Sequence, residues 1–445
     1  MPPPRSCARC GWGRWSSGSG RTGGRRRITL GKRWTRKCDL DTPVTPRDKS
    51  IDDIDSHTDT RAYLRKSREH ARRHGYDRWT LVDVDAHHVE SISWKEIVRY
   101  IEDPVLRDQA EAYHAQRVGS PPYGLVGDFG LRYQDCGGRI PHQSDQREAI
   151  EPGTHRDLVL TRRAMEGLAA AYMVVFPTSM LFLGMHPQPQ MEVALGRAYN
   201  RWVAETLLSR DNGIIALAFV PFNTPEAAVR VVEENAGNDR VVGFMVTSTR
   251  YRPVHDNVYA RLYRAIEESR KPIAFHAGYH WQDPSLATIP TFLGMHALGF
   301  VWCNMVHMTN WILQGIPERF PKLNSLWVES GLAWIPFLMQ RLDDQFLMRQ
   351  SEAPSLKMLP SEYMARHCWY SSQPMERSHP KALALTFEMI RAETQLLWSS
   401  DWPHYDFDTP AVIYDLPFLG EAAKRNILGR NAQRLFNLPD RLPPG

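Results

Sequence analysis

Four places in this sequence bring acids or imidazoles to the end of an apolar run, where they could hold and use a metal ion. The stretch Val82-Asp83-Val84-Asp85-Ala86-His87-His88-Val89-Glu90 alternates β-favouring residues with acids and then meets a histidine pair. In a strand, Asp85 and His87 project to the same side, so a carboxylate oxygen and an imidazole nitrogen can grip one cation. The plainer alternative is Asp85 capping a turn and His87 bonded to backbone. Ile273-Ala274-Phe275-His276-Ala277-Gly278 sets an imidazole among small residues, where His276 by itself is as well read as a satisfied core histidine as a ligand. Leu326-Trp327-Val328-Glu329-Ser330-Gly331 ends on an acid. A buried Glu329 is costly unless it faces a cation or a hydrogen-bond donor, and a loop arginine is the structural alternative. In Leu396-Leu397-Trp398-Ser399-Ser400-Asp401-Trp402-Pro403-His404, Asp401 stands where a strand breaks into a Trp-Pro turn. Pro403, Asp406 and Asp408 read as loop, which argues against a helix cap.

Elements must place these residues at one rim. Eight short apolar runs, 81–86, 172–179, 213–220, 241–248, 272–277, 325–330, 368–372 and 396–400, alternate with longer amphipathic ones. That βα rhythm predicts an α/β chain folded as a (β/α)8 barrel, in which chemistry gathers at the C-terminal ends of the strands. Helices are expected over 225–235, with Thr224 as N-cap and Pro225 at N1, over 258–270, and over 334–348 with Ile335, Leu338, Leu342 and Phe346 at helical spacing. The gap between the first two runs is far longer than a tight βα unit needs. The segment 88–171, with its Pro121-Pro122-Tyr123-Gly124-Leu125-Val126-Gly127-Asp128-Phe129 piece, is therefore expected to form a lid or substrate wall. Residues 80–440 make the barrel and 51–79 a helical leader.

Composition narrows the class. With 445 residues and 42% hydrophobic content the chain can bury a large core. Its net charge of +5 misleads, because Met1 to Leu40 holds eleven Arg or Lys against the single acid Asp39. The remainder is mildly acidic and shows no nucleic-acid groove. Residues 1–50 are rich in Gly, Ser and Arg and are expected to be a disordered basic tail. The six cysteines lack pairing rhythm, Cys7 and Cys10 form a CxxC with no second half, and no apolar leader opens the chain, so a reducing cytoplasm is expected. The charge-free run 167–185 is broken by Pro177 and reads as a buried strand rather than a membrane span.

The four strand-end motifs taken together resemble the mononuclear metal set of the amidohydrolase superfamily. The likeness is to its amidohydrolase-related branch, which includes aminocarboxymuconate-semialdehyde decarboxylase and resorcylate-type decarboxylases. Connecting text agrees: Gly315-Ile316-Pro317-Glu318-Arg319-Phe320-Pro321, Trp334-Ile335-Pro336, Gln373-Pro374-Met375-Glu376 and Asn426-Ile427-Leu428-Gly429-Arg430-Asn431-Ala432. The resemblance spans about residues 80–438. It implies one divalent ion, most often zinc, held by Asp85, His87, His276 and Asp401, with Asp401 also taking a proton from water; mixed N/O ligation admits manganese. It also implies a histidine at the end of strand six, where this chain has Glu329. The swap favours hydrolysis over decarboxylation, with Glu329 as acid or base; His307 is either a substitute reaching in from the preceding loop or, more plainly, a helix-face residue.

Around that set, Arg250 and Arg252 are candidate anchors for a substrate carboxylate. His280 and His404 are placed to hydrogen-bond ligands, and Trp281 and Trp402 to wall a ring or acyl group. The reading is a metal-dependent hydrolase of a small carboxylated or aromatic amide, ester or lactone. The alternatives are a non-oxidative decarboxylase of a small aromatic or unsaturated acid, and a non-catalytic barrel that binds a small molecule. A small-molecule partner, no nucleic acid, no membrane and a homodimer are the expected associations.

Overall fold

Eight parallel strands pair in chain order: β1 Leu81–His88, β2 Ala170–Pro177, β3 Ile214–Phe219, β4 Val241–Val246, β5 Ile273–His276, β6 Ser325–Val328, β7 Cys368–Ser371 and β8 Leu396–Leu397. The computed structural model describes residues 60–114, 152–209, 211, 213–247, 252–276, 278, 283–404 and 406–444. Every residue of these strands is buried, as a sheet covered on one face by helices and filled on the other by its own side chains requires. The first and last strands meet through Val84 N–H to Trp398 O (3.1 Å), Asp401 N–H to Asp85 O (2.7 Å) and a parallel bridge between Ala86 and Trp402. The chain is a (β/α)8 barrel.

The expected strands are present with shifted ends. β8 stops at Leu397 rather than at residue 400, and β6 stops at Val328 just before Glu329. Glu329 and Asp401 both take left-handed backbone, with φ of 49° and 60°. A strand cannot continue through that conformation, which a side chain with Cβ adopts only when its surroundings hold it there.

The main helices around the sheet are α1 Thr60–His74, α2 Arg156–Gly167, α3 Pro189–Val203, α4 Pro225–Asn235, α5 Ala260–Ser269, α6 Phe292–Leu313, α7 Trp334–Met348, α8 Pro380–Met389 and α9 Asn431–Phe436. Thr224 precedes α4 as expected but makes no side-chain cap. α5 buries Leu262, Tyr263 and Ile266 and ends at a left-handed Arg270, two residues before Pro272. Its neighbour α6, 22 residues without a charge, is capped by Thr291 and crosses behind β5 and β6. There Asn304 Nδ2 donates to Phe275 O (3.3 Å), Val328 O (3.2 Å) and Ser330 Oγ (3.1 Å), tying together the two strand ends that carry His276 and Glu329.

Of the long segment between β1 and β2, residues 88–114 form short helical turns with a helix over Pro104–His114, and α2 is an ordinary crossover helix. The Pro121–Phe129 piece and the basic tail lie outside the described residues. The run 167–185 forms β2 and a buried 3-10 turn, Ser179–Met185. Among the described residues no helix is long and apolar enough to cross a membrane.

Candidate metal centre

At the C-terminal rim the structure gathers Asp85 and His87 from β1, His276 from β5, Glu329 from the end of β6 and Asp401 from the end of β8. His87 Nε2 lies 3.3 Å from Asp85 Oδ1, 3.3 Å from Asp401 Oδ1 and 3.3 Å from His276 Nε2. His276 Nε2 is 3.3 Å from Asp85 Oδ1 and 3.5 Å from Glu329 Oε2, which stands 4.0 Å from His87 Nε2. All five residues are 0–2% exposed.

Hydrogen bonding fixes which atoms face inward. Pro177 O can only accept, so His87 Nδ1, 3.0 Å away, carries the hydrogen and Nε2 is a bare lone pair. That lone pair looks at carboxylate oxygens, so acceptors meet acceptors. Both oxygens of Asp85, Oε2 of Glu329 and Oδ2 of Asp401 have no hydrogen-bond partner among the described residues, and His276 turns its Nε2 toward them. Buried polar atoms are rarely left so, and a divalent cation among them is what this donor set fits.

The electrostatics agree. Burial raises Glu329 well above the usual carboxylate range, and Asp85 and Asp406 add to it. Asp401 is likewise raised by burial and by Glu329, Asp406, Asp85 and Asp83. Asp85 is penalised by burial too, yet His276 and His87 outweigh that and bring it to about 2. Three acids in one dry cavity need positive charge beside them to ionise together.

Two groups of ligand atoms lie within mutual reach, Asp85, His87, His276 and Glu329, and His87, Glu329, Asp401 and His404. Both use His87, which offers one lone pair, so they describe one cavity. His404 Nδ1 is 2.7 Å from Asp401 Oδ1, and its ring lies 4.2 Å from that of His87. Phe176 walls the centre, 4.8 Å from the His276 ring and 5.8 Å from that of His87.

A sequence model of the amidohydrolase family matches residues 163–438. The chain belongs to the amidohydrolase family. The matched stretch holds His276, Glu329 and Asp401 and begins after Asp85 and His87. Gamma-resorcylate decarboxylase of Rhizobium sp. (strain MTP-10005) is 21% identical to this amidohydrolase over 271 residues, 57% of this chain and 79% of the relative. Among solved structures, 5-carboxyvanillate decarboxylase of Sphingomonas paucimobilis is similar with TM-score 0.59 and 20% identity, covering 81% of this chain and 99% of its own. A dihydroxybenzoic acid decarboxylase of Polaromonas sp. JS666, solved with bound manganese and 2-nitroresorcinol, gives TM-score 0.57 and 17% identity over 81% and 97% of the two chains. These likenesses carry the barrel fold.

Several expected site residues of the amidohydrolase stand elsewhere. His307, read either as a substitute from a loop or as a helix-face residue, is on α6 with its ring 5.9 Å from Phe275 and Nε2 3.4 Å from Cys303 Sγ. Phe275 and His276 are consecutive in β5 and point to opposite faces, so His307 is on the outer side of the barrel wall. Burial lowers it to about 4. Arg252 is half exposed and faces Asp256 Oδ2 at 3.6 Å rather than the centre. Trp402 is buried, edge-on to Phe407 at 4.8 Å and 5.9 Å from the Arg163 guanidinium, a core contact rather than a substrate wall. Arg250, His280 and Trp281 lie outside the described residues.

Sequence reasoning misses Phe176; it reads Glu329 as an acid needing a cation or a donor, and His404 as a hydrogen-bond partner of a ligand. For Glu329 the signal was present, an acid closing an apolar strand. For Phe176 there was none, since it reads as one more apolar residue of β2.

Proposed function

We propose that this amidohydrolase is a divalent-metal-dependent carboxy-lyase that removes CO2 from a small hydroxylated aromatic acid. The observation that carries the reading is the set of buried carboxylate oxygens on Asp85, Glu329 and Asp401 that have no hydrogen-bond partner among the described residues and gather around His87 and His276. It is supported by relatives and structural neighbours named as decarboxylases of resorcylate, dihydroxybenzoate and carboxyvanillate. Two imidazoles beside three carboxylates make an oxygen-rich set that suits Mn2+, with Zn2+ as its rival, and manganese is bound in one such neighbour.

When bound, the ion would supply Lewis acidity, steadying negative charge on the substrate. Asp85, His87, His276 and Asp401 would hold it, with His87 oriented by its Nδ1–H on Pro177 O. Glu329, whose carboxyl burial raises above the usual range, faces the same cavity and is placed to meet the substrate carboxylate. Asp401, whose Oδ1 is engaged by His404, delivers a proton from Oδ2 to the ring carbon bearing that carboxylate. The C–C bond then breaks, its electron pair restores the aromatic ring, CO2 leaves, and Asp401 regains a proton from solvent. Phe176 gives the ring an apolar surface.

Hydrolysis at the same centre is the competing reading, favoured by the carboxyl that Glu329 sets where the resembled decarboxylases carry an imidazole. A panel of dihydroxybenzoates and carboxyvanillates, assayed for CO2 release with Mn2+-loaded and Zn2+-loaded protein, separates the two. Release of CO2 with formation of the phenol supports the carboxy-lyase. Turnover confined to aromatic amides, esters or lactones would replace it with the hydrolase.

A further inference from the structure

One buried carboxylate near the centre faces no ligand atom and is bonded only to the barrel's seam. Asp83, 0% exposed, stands two residues before Asp85 on β1. Its Oδ1 accepts from the backbone N–H of Asp85 at 3.2 Å and of Ser400 at 2.9 Å, and its Oδ2 accepts from the Ser400 hydroxyl. Ser400 Oγ accepts in turn from Trp402 N–H at 3.0 Å, and Ser400 O from Asp408 N–H at 2.8 Å.

These bonds flank Asp401 on both sides. β8 itself is only Leu396–Leu397, so the ladder does not reach the residue that must meet Asp85. Asp401 also sits at φ 60°, a conformation that strains a non-glycine residue and persists only where neighbours over-determine it. Asp83 fixes the residue before Asp401, Ser400 passes that constraint to the residue after it, and Asp401 N–H itself rests on Asp85 O at 2.7 Å. The Ser400 hydroxyl donates to Asp83 Oδ2 while accepting from Trp402 N–H, so both Asp83 oxygens serve as acceptors. An amide would present the wrong group to one of them.

We propose that Asp83 and Ser400 form a positioning clamp that sets the placement of Asp85 against Asp401 and thereby the affinity of the centre for its divalent cation. The clamp rests on the metal reading above, and its test separates the two. Full-length protein is stripped with chelator, and Mn2+ binding is measured by calorimetry for wild type, Asp83→Asn, Ser400→Ala, Ser400→Thr and the Asp83→Asn/Ser400→Ala double variant. Thermal midpoints are taken without metal. Asp83→Asn and Ser400→Ala should each weaken Mn2+ binding by about 10-fold or more, the range seen when groups orienting ligands are lost. The double variant should be little worse than the weaker single, since both break one unit. Ser400→Thr, which keeps the hydroxyl, should recover most of the affinity.

A role confined to folding would lower the metal-free midpoint and leave Mn2+ affinity at the wild-type value, and that result overturns the clamp. Should Asp83→Asn fail to fold, Ser400→Ala decides alone, because it removes only a hydroxyl. Wild-type protein that binds no divalent ion would overturn the metal reading and the clamp with it.

Discussion

His87 and His88 are neighbours on β1, and each heads a buried polar cluster on its own side of the strand. His88 has both ring nitrogens engaged, Nδ1 with Asp157 Oδ2 at 3.3 Å and Nε2 with the Tyr199 hydroxyl at 2.9 Å, and it stacks on Tyr199 and Trp202. Nearby, Glu90 accepts from Thr178 N–H at 2.8 Å and Met180 N–H at 2.6 Å, so each of its oxygens has a donor. Around His87 the acids face a bare imidazole lone pair and each other, and four of their oxygens have no hydrogen-bond partner among the described residues. The side chains are alike in type and burial. What differs is whether protein donors complete them, and the incomplete cluster is where something from outside belongs.

The contrast can be broken most severely at Asp401. Asp401→Asn removes the carboxyl proposed to donate the proton and should cut kcat by about 10³-fold while the protein stays folded, checked by turnover beside circular dichroism. On the other cluster, Glu90→Gln leaves one buried N–H without an acceptor, which costs about 1–3 kcal/mol of stability in denaturant unfolding. Metal content should not change there, because Glu90 faces away from the cavity.

Glu192 sharpens the comparison through pH. It is fully buried on α3, accepts from Asn223 Nδ2 at 2.9 Å, and is pushed by burial up to about 8. Its folded value lies above the unfolded one, so the contribution is fully present below about pH 4.5 and is lost as pH rises towards 8. Glu192→Gln should flatten the fall in stability over that window, followed as the urea midpoint against pH. The smallest effect is expected at Arg252, solvated and turned to Asp256, where Arg252→Ala should leave KM for an aromatic acid unchanged.

Much of this arrangement was legible before any coordinates. The eight apolar runs mark the eight strands because parallel strands are buried on both faces, and the strand-end acids and histidines converge because barrel topology brings C-terminal ends to one rim. α6 was only half legible: with no charge in 22 residues it shows no polar face, so His307 read either as loop-borne or as a helix-face residue. The seam was not legible, since the pairing of Asp83 with Ser400 joins residues 317 positions apart in the chain and leaves no local pattern. The left-handed turns at Glu329 and Asp401 were hidden because neither is glycine, the residue that usually announces such backbone.

The account stands or falls on whether the His87 cluster is completed by a cation. Elemental analysis of the purified protein by plasma mass spectrometry, wild type beside His276→Ala, tests this most directly. One manganese or zinc per chain in the wild type, lost in the variant, is the predicted result. A wild type without stoichiometric metal, or a variant that retains it, would contradict the centre described here and leave a barrel that binds small molecules without catalysing their conversion.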